Sequence, residues 1–104
     1  INIYNCDALY NNVIDVDEIS KACVAVLRSF ETNIGLFNLA ASEPVPMRTA
    51  VQYIIDTLTS DSKIIEVQSD RPSFHINTDR ITSDLGFRPL PTLQMLKRIV
   101  KNNI

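Results

Sequence analysis

Arg71 is followed at once by Pro72, then by an aromatic ring at Phe74 and by the chain's one histidine, His75. A guanidinium on a loop can hold a phosphate through two parallel, charge-assisted hydrogen bonds. A proline beside it restricts the backbone and lowers the cost of keeping the group ready. Phe74 offers a face for stacking on a base or sugar, and His75 a donor for a phosphate or hydroxyl. Plainer roles compete with these. Arg71 can pair with Asp70, Phe74 can anchor its loop in the core, and His75 can simply be a polar surface residue. Asn11 and Asn12 form a second candidate pair, able to bond a sugar or diphosphate, or to shape the turn before a strand.

Several kinds of chemistry lack their residues. The chain has two glycines, Gly35 and Gly86, too far apart to build a dinucleotide fingerprint or a P-loop, both of which need several glycines in one turn. A single histidine leaves a zinc site short of ligands. No Ser–His or Cys–His constellation is spaced for nucleophilic catalysis. The tyrosines are Tyr4, Tyr10 and Tyr53, followed four residues later by Ala8, Ile14 and Thr57. A Tyr-x-x-x-Lys pair, in which the ammonium lowers the phenol pKa for acid/base work, is therefore absent.

The 104 residues allow one domain, with 45% apolar and 21% charged residues, an ordinary globular balance. A chain this short buries roughly 60–65% of its unfolded surface, so marginal stability is expected. The net charge of −2 gives no general attraction to nucleic acid or anionic membrane. No apolar run approaches the ~20 residues of a membrane span, and no signal peptide is visible. The start at Ile1 is expected of a processed chain or a fragment. Cys6 and Cys23 read as reduced thiols of a cytoplasmic protein, with Cys23 in the core.

The elements that must carry the candidate residues are interleaved strands and helices. Ile1–Asn5 alternates like a strand, Cys6–Asn11 is turn-like, and Asn12–Val16 is a second, β-branched strand. Asp15 and Glu18 have the form of a capping box, which accounts for Asp15 and Asp17 better than a carboxylate pair does. Ile19, Cys23, Val26 and Phe30 mark a helix running to about Ser29, ended by Thr32–Gly35. Gly35–Ala40 reads as a buried strand. Pro46 suits the first turn of a helix whose stripe is Met47, Ala50, Val51, Ile54, Ile55 and Leu58. Lys63–Val67 is a strand. Asn77 or Thr78 caps a short helix ending at Gly86, and Thr92 caps the last one. There, Lys97, Arg98 and Lys101 form a solvated, dipole-compatible end. Arg88, beside Pro89, reads as structural. The expected fold is α/β: a small sheet of three or four short strands with about four packed helices.

Four segments, in order, resemble the C-terminal part of extended short-chain dehydrogenases/reductases, the NAD-dependent epimerase/dehydratase group acting on nucleotide sugars. Asn12-Val13-Ile14-Asp15-Val16-Asp17-Glu18-Ile19 is similar to the strand-to-helix segment ending in Val-Asp-Asp. Gly35-Leu36-Phe37-Asn38-Leu39-Ala40, with Glu43-Pro44-Val45, is similar to the Gly-x-Φ-Asn-Φ-Gly strand and loop, Φ being apolar. Asp70-Arg71-Pro72 resembles the Arg-Pro loop, and Leu85-Gly86-Phe87-Arg88-Pro89 with Thr92-Leu93 the Leu-Gly-aromatic-x-Pro ending. Asn11 and Asn12 stand where many members have Arg-Asp, and the loop from Arg71 to Asn77 is shorter than in many epimerases.

The resemblance implies a partial domain, residues 1–104, that binds substrate and is not catalytic alone. Its implied site residues are Arg71, Phe74, His75, Asn11 and Asn12. No cofactor is expected on this chain; NAD(P) is implied for a parent enzyme whose N-terminal Rossmann domain is missing here. The implied partners are a nucleotide-sugar substrate and that domain, with a homo-oligomer possible, and neither nucleic acid nor membrane. The competing reading is a non-catalytic interaction or oligomerisation module that uses apolar surface left open by the missing part.

Overall fold

The computed structural model describes residues 1–29 and 35–103. In chain order the elements are β1 (Asn2–Tyr4), β2 (Leu9–Tyr10), α1 (Val16–Arg28), β3 (Val45–Pro46), α2 (Met47–Thr57), β4 (Ile65–Val67), α3 (Asp79–Leu85) and α4 (Thr92–Asn102). The architecture is α/β, as expected. Its strands form two separate pairs. β1 runs parallel to β4, with Asn2, Ile3 and Tyr4 opposite Ile65, Glu66 and Val67. β2 runs antiparallel to β3, with Leu9 opposite Pro46 and Tyr10 opposite Val45.

Two expected strands do not form: Asn12–Asp15 is irregular with Val16 opening α1, and Gly35–Ala40 is irregular; β2 falls in a segment read as a turn. β-Branched alternation marks side chains suited to a pleat, but a strand exists only where a neighbour completes the ladder. The main chain near Asn12 bonds elsewhere. Ala41 N–H donates to the Val13 carbonyl at 2.9 Å, and the Asp15 side chain accepts from Glu18 N–H at 2.8 Å as the α1 N-cap. Phe30 and the helix-ending residues Thr32 to Ile34 lie outside the described residues.

α1 is rotated relative to the sequence expectation. Glu18 and Ala22 face inward, while Ile19 and Cys23 are exposed; the buried thiol is Cys6. The buried carboxylate goes with the rotation, because two of the three Glu18 partners lie on the segment and helix packed against α1. Its Oε2 accepts from Leu90 N–H at 3.2 Å, and its Oε1 lies 3.3 Å from Lys21 Nζ and 3.6 Å from Arg98 Nη1. Arg98 is no loosely solvated charge: it also reaches Asp15 at 3.2 Å and Asp17 at 2.7 Å, tying α4 to the start of α1. Such a buried charge holds its register only while its partners stay in place.

The core lies where α2 and α4 pack together, with Ala50, Ile55, Met95 and Leu96 buried. Ala40 and Ala41, both buried, lead into Ser42, whose N–H donates to the Leu90 carbonyl at 2.9 Å. Thr92 returns the contact, its N–H and hydroxyl both donating to the Ser42 carbonyl. Thr92 is thus a buried first residue of α4, and Pro91 holds the cap position. Pro46 likewise precedes the first turn of α2 instead of sitting in it. At α3, Asn77 Oδ1 accepts from Asp79 N–H at 2.8 Å, and Gly86 ends the helix in the left-handed region at φ 68°.

Candidate functional site

The loop between β4 and α3 separates two clefts of about 410 Å³ each. On one side lie Asn5, Asp7, Glu66, Gln68, Arg71 and Ser73. On the other lie Asn11, Ser42, Glu43, His75, Asn77 and Arg88. The candidate residues therefore do not converge: Arg71 lines the first cleft, Asn11 and His75 the second, and Phe74 projects between them, 73% exposed.

Local geometry holds Arg71 in place. Asn5 follows β1 with φ 55°, a left-handed turn conformation that asparagine tolerates. From there its Nδ2 donates to the Arg71 carbonyl at 3.0 Å, and Arg71 N–H donates to Ser69 Oγ at 3.2 Å. Sequence reasoning missed Asn5, whose only signal was an asparagine just after a strand. The Arg71 guanidinium forms no ion pair with Asp70 or any other carboxylate among the described residues. The two acids of its cleft are engaged by Arg48, which lies 3.2 Å from Asp7 and pairs with Glu66. Neutralising those acids removes the nearest competition for Arg71 and leaves its charge available to an external anion.

Asn11 has a different role from the one its type offered. It is 1% exposed; its Nδ2 donates to Ala41 O at 2.8 Å and Ile76 O at 2.7 Å, and its Oδ1 accepts from Ile76 N–H at 2.7 Å. Both amide hydrogens are committed, so Asn11 braces the main chain next to His75. Asn12 is exposed, and its carbonyl accepts from Tyr10 Oη at 3.4 Å. Burial raises the Tyr10 phenol above its ordinary value of 10.0, so it stays protonated near neutrality and supplies no base.

Arg88 pairs with Glu43 at 3.3 Å across the second cleft. Arg80, also missed by sequence reasoning, crosses from α3 to the Gly35–Phe37 segment. It donates to Leu36 O at 3.0 Å and lies 5.2 Å from the Phe37 ring centre. Its guanidinium occupies the space a Cβ at Gly35 would need. No glycine lines either cleft, and Gly35 is covered by Arg80, so neither cleft offers the close backbone approach of a glycine-rich phosphate loop. No cluster of metal-ligating side chains occurs among the described residues, and none of their helices is long and apolar enough to cross a membrane.

The four helices and small sheets match part of an extended short-chain dehydrogenase/reductase fold. One such structure is RMD from Pseudomonas aeruginosa complexed with NADPH, with TM-score 0.66, 13% identity, and a match over 100% of this chain and 36% of that one. Another is dTDP-glucose 4,6-dehydratase from Bacillus anthracis in complex with NAD, with TM-score 0.63, 20% identity, and coverage of 96% and 33%. The chain spans about a third of the length of either. No protein-family model and no curated protein matches the sequence.

Proposed function

We propose that this chain is the nucleotide-sugar-binding part of an NAD(P)-dependent epimerase, dehydratase or reductase, and that Arg71 receives the nucleotide diphosphate. The observation that carries this is an arginine with no carboxylate partner among the described residues, on a braced loop beside a cleft whose own acids are occupied by Arg48. The fold supports it, since the matched structures are of a nucleotide-sugar dehydratase with NAD and of a protein with NADPH. Phe74 contributes a stacking face, His75 and Asn12 contact hydroxyls or phosphate, and Asn11 positions the strand of chain that carries His75. The hydride and proton transfers belong to residues outside this chain, and so does the cofactor. The part described here uses binding energy from the remote nucleotide to orient the sugar.

Titration with UDP and dTDP, followed by calorimetry, tests this reading. Arg71→Ala is expected to weaken binding at least tenfold, with Arg71→Lys intermediate because a point charge replaces a bidentate fork. Arg71 is exposed, so neither variant should alter the fold. Equal affinity in wild type and Arg71→Ala would overturn the assignment.

A further inference from the structure

Another cleft, of about 380 Å³, opens between the second half of α1 and the turn that ends α3. Val24 and Ala25 line one wall, and Leu85, Gly86 and Phe87 the other. Val24 is exposed, and the space where a Gly86 Cβ would stand is open. Lys21 and Arg28 edge this apolar space, and no carboxylate of the described residues lines it. Both cations lie on α1, seven residues apart and therefore about 20° apart in projection, with Val24 between them in height. They are not equivalent. Lys21 Nζ lies 3.3 Å from the buried Glu18 carboxylate, one turn further from Arg28. Arg28 has no carboxylate partner among the described residues. Asp84, the acid beside Leu85, pairs with Arg80 at 3.4 Å.

We propose that this cleft binds a small amphiphilic carboxylate, with its head on Arg28 and its apolar body along Val24, Leu85 and Phe87. Charge and lining carry the choice of occupant. A guanidinium with no acid of its own can fork two N–H groups onto a carboxylate. Beyond Val24 the Lys21 stem adds methylenes, while its ammonium stays with Glu18. A bare inorganic anion would meet Arg28 alone and leave the apolar walls unused. A second copy of this chain is a poor occupant, because a two-fold axis through the cleft would set Lys21 and Arg28 against the same cations. The volume falls within the roughly 300–1,000 Å³ of small-molecule sites, whose walls are mostly apolar with few polar groups.

Titration of the full chain with octanoate, followed by amide chemical shifts, tests the proposal. Shifts are expected at Val24, Ala25, Arg28, Gly86 and Phe87, with a dissociation constant on the order of 1 mM. Octylammonium, the same body with the opposite charge, should bind about tenfold more weakly. Inorganic phosphate should leave these resonances in place. Arg28→Gln should weaken octanoate about fivefold without weakening octylammonium, and Arg28→Glu should reverse the order of the two probes. Arg28 is exposed, and circular dichroism verifies that the variants fold. Silent cleft resonances at octanoate well above that concentration would overturn the proposal. So would an equal response to octylammonium, or an octanoate affinity that ignores Arg28→Gln. Nucleotide binding at Arg71 stands or falls separately.

Discussion

At the scale of single residues, Asn11 and Arg71 have separate parts in the proposed site, one bracing the main chain and one offering a charge. Asn11 grips Ile76 through both its main-chain groups and also holds Ala41, so a single amide fixes two segments of chain. Removing it leaves buried donors and acceptors unpaired, the expensive half of hydrogen-bond energetics. Asn11→Ala should cost about 3 kcal/mol in urea unfolding and speed amide exchange at Ile76. An unchanged midpoint would show that the brace is incidental. Residue type alone could nominate Asn11 but not assign its role, because its partners lie 30 and 65 residues away. Arg98 was hidden the same way: its pairing with Asp15 and Asp17 joins chain ends that no local pattern connects.

At the scale of elements, the helices were legible because their signals are local. The α1 cap, the α2 stripe and the glycine stop of α3 each sit within a few residues of the structure they determine. Gly86 shows this most plainly. At φ 68° glycine rests without the strain a Cβ brings, and beyond its chain neighbours no atom lies within 4 Å of where a Cβ would stand. Gly86→Ala should therefore destabilise by about 1 kcal/mol for conformational reasons alone, with no steric addition. A neutral substitution in thermal unfolding would contradict that. Strands were less legible, since Asn12–Val16 and Gly35–Ala40 have strand-forming side chains but no ladder among the described residues. The facing direction of α1 was also missed. Periodicity locates an apolar stripe, but here the buried Glu18 turned the other side inward.

At the scale of the molecule, the chain is a thin slab, 49 × 34 × 14 Å, with a radius of gyration of 15.8 Å. A compact domain of about 100 residues has a radius near 13 Å. So flat a shape encloses less interior than a sphere of the same length of chain, and large apolar side chains such as Val16, Leu27 and Leu36 stay on the surface. The Arg71 cleft lies on this slab without any glycine-rich loop beside it. The isolated chain should accordingly show no micromolar binding of NAD or NADP by calorimetry, and such binding would contradict the division of labour proposed above.

The handle itself is tested most directly by amide chemical-shift mapping of the chain with UDP and dTDP. The account predicts shifts concentrated from Ser69 to Asn77 and at Asn5, abolished in Arg71→Ala and absent from the α1 stripe. Unmoved resonances at Arg71 to His75 under saturating nucleotide, or the same shifts in the variant, would contradict it.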